Sequence, residues 1–326
     1  MKIFIIAGMF SLIFSAVAGL FAVPLLRRLK AGQPILKYVK AHTEKSGTPT
    51  MGGLFFLLSA AAAFFIFGGG TGRVATVILA ISAFYMLVGL LDDYIKIKFR
   101  RNEGLKPYQK IIFQTAIALL GGAFAYTNGL TVFYLPFVKN TVDLGFFTIP
   151  AVAFLFIAVT NSVNLTDGLD GLCGGVSVAY ITGIFALISA EIFFGGTVIR
   201  REEADTVLLL CAATIGATAG FLLFNVHRAK VFMGDTGSLA LGGVICGVSA
   251  FTGNALFIPV IGVAFVWSSL SVILQVMHYK RTHRRIFLMA PFHHHLQAKG
   301  FTEAQIGYFY SVFTVITGLV SVIFYI

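Results

Sequence analysis

Charged residues are scarce in this sequence. Lys, Arg, Asp and Glu make up only 11% of its 326 residues, whereas 58% are hydrophobic and the mean hydropathy is +0.90. A soluble domain has about 25% charged residues, so the composition excludes one and predicts repeated membrane-spanning segments. Acidic residues are the scarcest, with 13 against 24 Lys and Arg. The net charge of +11 does not indicate nucleic-acid binding, which needs a basic face on a soluble module.

Cysteine is nearly absent. The three present lie in apolar segments and lack the close spacing of metal ligands: Cys173, Cys211 and Cys246. This pattern excludes a disulfide or zinc framework and predicts buried thiols that serve packing.

The N-terminal apolar run, residues 3–26, does not have the form of a signal peptide. It is too long for a signal-peptide core, and its positive flank, Arg27, Arg28 and Lys30, follows it instead of preceding it. We therefore expect a first transmembrane helix whose N-terminus lies outside.

Long apolar runs recur along the whole chain. They predict an all-α, polytopic integral membrane protein with about ten transmembrane helices in one domain, residues 1–326. A loosely alternating stretch, residues 131–148, predicts a short hairpin around Lys139 and Asn140. The predicted spans are 3–26, 51–69, 74–91, 110–128, 149–163, 173–195, 205–225, 236–253, 255–278 and 304–325.

The distribution of Lys and Arg orients these spans. With the N-terminus outside, 19 of the 24 Lys and Arg fall in the inside loops and 5 fall outside. Cytoplasmic loops carry this excess of positive charge. Both termini are therefore predicted to be extracytoplasmic, with five loops in the cytoplasm.

Two adjacent carboxylates, Asp92 and Asp93 in LDDYIKI, end the third predicted span. Acids at a helix C-terminus oppose the helix dipole, so another group must favour them. Lys96 lies on their helix face, at the spacing of a helical ion pair. The alternative is an ordinary helix end that meets water.

Two more polar motifs fall on the same predicted side. In NSVNLTDGLDGL, Asn164, Asp167 and Asp170 recur every three residues, with Asn161 one turn earlier; serial helix caps and an Asx turn are the alternative. In VFMGDTGS, Asp235 precedes an apolar helix, and the alternative is that Asp235 or Thr236 caps that helix. Five acids at one membrane face favour a site for Mg²⁺ and a polyanion, because Mg²⁺ uses one or two carboxylates with phosphate oxygens. A transporter would place acids near mid-membrane.

Two loops add candidate phosphate or polar-substrate groups. Adjacent histidines rarely converge on one zinc ion, so His293, His294 and His295 favour a phosphate or polar substrate instead; a positively charged inside loop with histidines at the headgroup level is the alternative. Lys45 stands beside the turn SGTPTMGG, whose backbone amides could meet an anion; a plain turn into a helix is the alternative.

Taken together, GTPTMGG, LDDYIKI, NLTDGLDGL, FMGDTGSLALGG and PFHHHLQAKGF resemble the phospho-N-acetylmuramoyl-pentapeptide transferase family, over the whole chain. This family belongs to the polyprenyl-phosphate N-acetylhexosamine-1-phosphate transferase superfamily. GTPTMGG and PFHHHLQAKGF separate it from the GlcNAc-1-phosphate transferases. The resemblance implies transfer of phospho-MurNAc-pentapeptide from UDP-MurNAc-pentapeptide to undecaprenyl phosphate, which gives lipid I and UMP. It further implies Mg²⁺, the bacterial inner membrane, an active site formed by the cytoplasmic loops, a homodimer, and nucleoside antibiotics as inhibitors.

The resemblance also assigns residues. It makes Asp235 the Mg²⁺ ligand and Asp92 with Asp93 the catalytic pair. It places Phe232 where it would stack on uracil. The substrate-binding set it implies, together with the candidate residues above, is Lys45, Thr50, Lys96, Asn161, Asn164, Asp167, Asp170, Phe232, Gln275, His293, His294 and His295.

Three points stay open at this stage. Either Asp92 or Asp93 could act as a base, or neither, because a phosphate monoester with a second pKa of about 6 is already mostly dianionic at neutral pH. A two-step route through an aspartyl-phosphate is the alternative to direct attack. The lipid tail needs a groove between helices, for which the ninth span, with Pro259 as its kink, is a candidate wall.

Overall fold

Helices account for nearly all of the regular structure. The computed structural model describes residues 1–29, 47–99, 103–138 and 140–325. In chain order the helices are α1 (Lys2–Arg28), α2 (Gly53–Ile66), α3 (Arg73–Lys98), α4 (Pro107–Thr127), α5 (Thr148–Thr166), α6 (Leu172–Phe194), α7 (Arg201–Asn225), α8 (Gly234–Phe251), α9 (Ile258–Ile261), α10 (Val263–Thr282), α11 (Phe292–Ala298) and α12 (Glu303–Tyr325).

The predicted all-α membrane fold is confirmed. Eight helices in the described part of the chain are long and apolar enough to cross a membrane: α1, α3, α4, α5, α6, α7, α8 and α12. A ninth crossing is formed if the bent pair α9–α10 is one span. The second predicted span is the apolar helix α2, whose 14 residues extend about 21 Å at 1.5 Å per residue. All ten predicted segments are thus helical, although α2 is shorter than residues 51–69.

Helix α8 lies at the centre of the bundle. Its residues are almost all buried, because α3, α5, α2 and α6 pack around it. Its small residues allow these close contacts: a side chain at Gly237 would collide with Met233 and would crowd the backbone of Gly53 on α2. Helices α1 and α12 pack on the outside, against α7 and α6 respectively. The first turn of α8 is therefore positioned by helices that pack on several sides of it.

The ninth span is broken, but not at the residue expected. The segments Ala255–Ile261 and Val263–Thr282 meet at 80°, with Gly262 between them. Pro259 instead lies in the first turn of α9, where a missing N–H costs no helical hydrogen bond. Thr317 of α12 donates its hydroxyl to the Ile261 carbonyl at 3.2 Å, which helps to satisfy the broken helix end.

The predicted hairpin is also confirmed. Strands β1 (Val132–Tyr134) and β2 (Thr141–Asp143) pair antiparallel, with Phe133 opposite Val142. Lys139 lies outside the described residues.

Candidate active site

Three carboxylates converge where α3 ends and α8 begins. Asp92, Asp93 and Asp235 each offer an oxygen, and these oxygens lie within 4.8 Å of one another. Asp92 and Asp93 are buried in the last turns of α3, whereas Asp235 is half-buried in the first turn of α8. Three negative charges this close need compensating cations, since like charges repel strongly at low dielectric. We call these three residues the carboxylate cluster.

Two lysines supply the compensating charge. The Lys96 ammonium lies 2.7 Å from Asp92 Oδ2, 3.3 Å from Asp235 Oδ2 and 3.9 Å from Asp93 Oδ1. The Lys110 ammonium, from the first turn of α4, donates to Asp235 Oδ2 at 2.7 Å. Lys96 was predicted for this site, and Lys110 was not.

Asn164 fixes the other oxygen of Asp235. Its amide donates to Asp235 Oδ1 at 2.9 Å and to the Ser238 hydroxyl at 2.8 Å. The end of α5 therefore joins α3, α4 and α8 at the cluster. Asn161, one turn earlier, donates instead to Gln114 on α4 at 2.7 Å, so it does not bond to Asp235 directly.

Neither Asp235 nor Thr236 caps its own helix, so that alternative is wrong. The N-cap residue of α8 is Met233, whose side chain makes no capping hydrogen bond. The chain turns at Gly234, with φ +72°, and places Asp235 within the first turn. Its carboxylate consequently points at Lys96, Lys110 and Asn164 and not back at its own backbone.

Asp93 occupies the position that a cap would take. Asp93 Oδ1 accepts the Asp235 N–H at 3.3 Å, and Asp93 Oδ2 accepts the N–H and the hydroxyl of Thr236 at 3.1 and 2.7 Å. Asp92 faces elsewhere, because its Oδ1 accepts the Leu105 N–H at 2.8 Å and its Oδ2 faces Lys96. The two adjacent acids thus accept backbone hydrogen bonds from different segments, although Lys96 lies near both.

The NLTDGLDGL loop lies beside the cluster. Asp167 follows the last residue of α5, and burial, together with nearby carboxylates, Asp235 first among them, raises its pKa to about 8. Asp170 accepts the Ala229 N–H at 3.0 Å, and its own N–H donates to Glu303 at 2.9 Å. Asp170 therefore joins this loop to the segment before α8 and to the start of α12.

The histidine segment forms α11 and packs on that loop. A side chain at Gly168 would collide with the ring of His293, so only glycine allows this contact. His293 is fully buried, and its two ring nitrogens have no hydrogen-bond partner among the described residues. Burial lowers its pKa to about 3, with His294 contributing. His293 is therefore neutral at physiological pH.

The other predicted groups of this region organise the segment between α10 and α11. Gln275 accepts the N–H groups of Ile286 and Phe287 at 3.1 and 3.0 Å. His295 Nδ1 accepts the Leu288 N–H at 3.1 Å. His294 Nδ1 pairs with Gln297 at 3.2 Å. Gln275 and His295 thus hold the loop backbone in the structure.

The GTPTMGG turn borders the cluster from the other side. The Thr50 hydroxyl is buried next to Gly234, where an added side chain would collide with it and with Asp93. Phe232 pairs with this turn through its backbone, donating to Pro49 at 2.8 Å and accepting from Gly52 at 2.9 Å. Its side chain is half-buried. Lys45 lies outside the described residues.

Sequence reasoning missed several residues of the site. Lys110, Leu105, Thr236, Ser238 and Glu303 all bond to predicted site residues. The only signal for Lys110 was its place in a basic inside loop, where it counted as one of several topological charges. The others act through backbone groups or common polar side chains, which carry no distinctive spacing.

Comparison with known proteins shows which family this chain resembles. Glycosyl transferase family 4 matches residues 75–253, and signature 1 of the phospho-N-acetylmuramoyl-pentapeptide-transferases matches residues 45–57. The phospho-N-acetylmuramoyl-pentapeptide-transferase of Clostridioides difficile (strain 630) is 38% identical over 94% of this chain and 93% of that protein. The enzyme of the same name from Desulfitobacterium hafniense (strain DSM 10664 / DCB-2) is 38% identical, with 99% and 98% covered. That from Clostridium botulinum (strain Alaska E43 / Type E3) is 40% identical, with 95% and 93% covered.

The long apolar helices and the cluster of acids and lysines at their ends define a polytopic membrane enzyme, a transferase. Within that class, the chain belongs to the phospho-N-acetylmuramoyl-pentapeptide transferase family. The resemblance carried by the five motifs is thereby confirmed.

Proposed function

We propose that this protein transfers phospho-MurNAc-pentapeptide from UDP-MurNAc-pentapeptide to undecaprenyl phosphate, releasing UMP and leaving lipid I in the membrane. The observation that carries the proposal is the meeting of three carboxylates and two lysines at the ends of apolar helices. A lipid phosphate at the membrane surface and a soluble nucleotide sugar can both reach such a place. The relatives named above support the choice of sugar.

Charge decides how this site would work. Both substrates are anions and repel each other, so the transfer needs cations between them. Lys96 and Lys110 provide two, and the cluster holds their ammonium groups in fixed positions. When a phosphate binds, each lysine ammonium group can replace part of its contact with a carboxylate by a contact with the phosphate.

The cluster also fits Mg²⁺. Its donors are carboxylate oxygens, with the Asn164 amide beside Asp235, and these hard oxygen ligands suit that ion. We propose that Asp235 holds Mg²⁺. Bound there, Mg²⁺ would neutralise phosphate charge.

The proposed chemistry is direct displacement. An oxygen of the lipid phosphate forms a bond to the β-phosphorus of the UDP-sugar, while the bond from that phosphorus to the bridging oxygen breaks and UMP leaves with the electron pair. The attacking phosphate has a second pKa of about 6, so it needs no base at neutral pH. Asp92, which faces Lys96, would hold this lysine in place at the cluster.

We place the nucleoside near Phe232, Asp170 and Asn164, and the sugar and peptide toward α11. Phe232 borders the cluster through the GTPTMGG turn, and stacking on an aromatic ring suits a uracil base. The α10–α11 segment held by Gln275 and His295 faces the rest of the substrate in this proposal. Nucleoside antibiotics would compete for the same region.

An apolar cavity offers a place for the lipid tail. It has a volume of about 230 Å³ and lies between α10, α11 and α12. Its walls are almost wholly apolar, as a polyprenyl chain requires. We propose that the tail enters here, beside the break at Gly262. The lining residues are Val263, Ala264, Trp267, Phe292, Phe309, Tyr310 and Phe313.

The cellular setting follows from the family and the charge split. We propose the cytoplasmic membrane of a bacterium, with the cluster on the cytoplasmic face and both termini outside. We also propose a homodimer.

The direct test is UMP release by purified protein. It should require UDP-MurNAc-pentapeptide, undecaprenyl phosphate and Mg²⁺ together, and UDP-GlcNAc should not replace the first. Equal turnover of UDP-GlcNAc would move the protein to another branch of the superfamily. An absence of UMP release under all these conditions would reject the proposed reaction.

A further inference from the structure

The first turn of α8 lies directly against the end of α3. A side chain at Gly89 of α3 would collide with the Asp235 carbonyl and with the Thr236 N–H. Only glycine lets the two backbones come this close at that position. The position of Asp235 therefore depends on how α8 begins against α3.

Asp93 stands one helical turn after Gly89 and closes this contact. It is fully buried, and it accepts the N–H groups of Asp235 and Thr236 together with the Thr236 hydroxyl. Helix N-termini leave N–H groups without an intrahelical partner, and a carboxylate there is favoured by the helix dipole. Because Met233 gives α8 no side-chain cap, Asp93 is a cap supplied by a different helix.

We infer that Asp93 is a positioning residue: it holds the start of α8 so that the Asp235 carboxylate faces Lys96, Lys110 and Asn164, and it does not itself touch the reacting phosphates or the metal ion. This assignment rests on the proposed function. It separates the roles of two adjacent acids. Asp92 contacts Lys96 most closely and accepts a hydrogen bond from the loop before α4, whereas each Asp93 oxygen accepts a hydrogen bond from the start of α8.

The orientation of the carboxylates supports this division. Adjacent helical residues point about 100° apart, so Asp92 and Asp93 differ in their closest partners: Asp92 lies 2.7 Å from the Lys96 ammonium, whereas Asp93 lies 3.9 Å from it. The backbone N–H donors fix both Asp93 oxygens toward α8. Turning one of them toward a substrate would leave a buried N–H unpaired, which is costly.

Thr236 allows the most specific test. Its hydroxyl bonds to the Asp93 carboxylate and to neither the Asp92 nor the Asp235 carboxylate. We would prepare Thr236→Val, Asp93→Asn and the double variant. Thr252→Val is the matched control: this threonine is buried at the other end of α8, where its hydroxyl donates to the Val248 carbonyl and accepts from the Asn254 amide. UMP release would be measured with Mg²⁺. Mn²⁺ affinity would be measured separately, by electron paramagnetic resonance without substrates.

The inference predicts that Thr236→Val lowers turnover about tenfold, the effect of one hydrogen bond to a charged group. KM for the UDP-sugar should change little, and Mn²⁺ should bind more weakly. Asp93→Asn should lower turnover further, by about 10²-fold. The double variant should match Asp93→Asn, because the hydroxyl acts through Asp93. Thr252→Val should behave as the wild type in both assays.

Two results would overturn the inference. One is Thr236→Val with wild-type turnover and Mn²⁺ affinity while Asp93→Asn is inactive, since Asp93 would then act on the reacting groups directly. The other is additive losses in the double variant. If Asp93→Asn does not fold, the comparison of Thr236→Val with Thr252→Val decides alone. If the wild type itself releases no UMP, the proposed function is rejected instead, so the two failures are distinct.

Discussion

At the residue scale, the two lysines of the site are held to different degrees. The Lys96 ammonium contacts all three carboxylates of the cluster, whereas the Lys110 ammonium contacts only Asp235 among the described residues. A lysine that contacts a single carboxylate gives up less electrostatic attraction when its ammonium group turns toward a phosphate. Lys110 is therefore the better candidate to follow the substrate's phosphates, and Lys96 the better candidate to keep the cluster together.

Lys110→Gln should lower turnover by about 10²-fold, because it removes one cation from a preorganised site. The folded protein should persist, since Lys96 still faces Asp235. UMP release measures the effect. Lys98→Gln is the control: this exposed lysine lies beside the rings of Tyr94 and Phe99, and its loss should leave turnover unchanged. Similar losses in both variants would mean that general basic charge matters, and not the contact with Asp235.

His293 gives a prediction about pH. Its folded pKa, lowered to about 3 by burial, lies below the value of about 6.5 for an unfolded histidine. Between about pH 3 and 6.5, the unfolded chain therefore binds a proton at this histidine and the folded chain does not. The free energy of unfolding consequently falls as the pH falls from about 6.5 toward 3. His293→Gln carries no such proton, so its apparent Tm should fall less on acidification than that of the wild type.

Thermal unfolding in detergent at several pH values between 7 and 4.5 would measure this difference. His283→Asn is the control, because His283 is exposed and asparagine tolerates its positive φ of 55°. That variant should follow the wild-type curve. Parallel curves for His293→Gln and the wild type would contradict a buried, neutral imidazole.

At the element scale, the broken helix α9–α10 borders the apolar cavity that we propose for the lipid tail. The 80° bend turns α10 away from the path of α9, and the apolar cavity opens between α10, α11 and α12. Helix α11 contributes Phe292 to that cavity and the histidines to the polar side. One short helix thus borders both the lipid and the polar parts of the proposed site.

Phe313→Ala tests the cavity. Phe313 lines it from α12, and removing the ring takes away apolar contact with the tail. KM for undecaprenyl phosphate should rise about tenfold, as expected for the loss of one well-packed aromatic side chain, while KM for the UDP-sugar stays the same. Phe324→Ala, on the same helix but away from this cavity, should change neither. An equal rise in both KM values would place the tail elsewhere.

At the scale of the whole molecule, the central position of α8 matters most. It is the most deeply buried of the long helices, and its first turn carries Asp235. The ends of α3, α4 and α5 meet it there. Buried packing along its length thus sets the position of the half-buried Asp235 carboxylate at its end.

The orientation in the membrane gives a separate prediction. With 19 of the 24 Lys and Arg on one side, a reporter fused after the last residue should be extracytoplasmic, and one inserted in the loop between α10 and α11 should be cytoplasmic. Paired reporters of opposite compartment specificity would measure both. Finding the two positions on one side would reject the ten-segment topology.

Much of this arrangement could be predicted from sequence, for identifiable reasons. Long apolar runs determine the spans, and the ends of alternate spans lie at the same face, so Asp92, Asn164 and Asp235 were expected at one face. What remained hidden depends on tertiary contacts. The pattern LDDYIKI cannot show which aspartate faces α8, and Asn161 differs from Asn164 only by one helical turn. Pro259 signalled a break, but only packing shows that the chain bends at Gly262.

The most direct test of the account is UMP release by Asp235→Asn. Asparagine keeps the size of the side chain and can still bond to Asn164, but it removes the charge that faces Lys96, Lys110 and the proposed Mg²⁺. Asp143→Asn, on the exposed hairpin, is the matched control. The account predicts a loss of about 10²–10³ in turnover for Asp235→Asn, partly restored by excess Mg²⁺, and normal turnover for the control. Near-normal UMP release by a folded Asp235→Asn enzyme would contradict it.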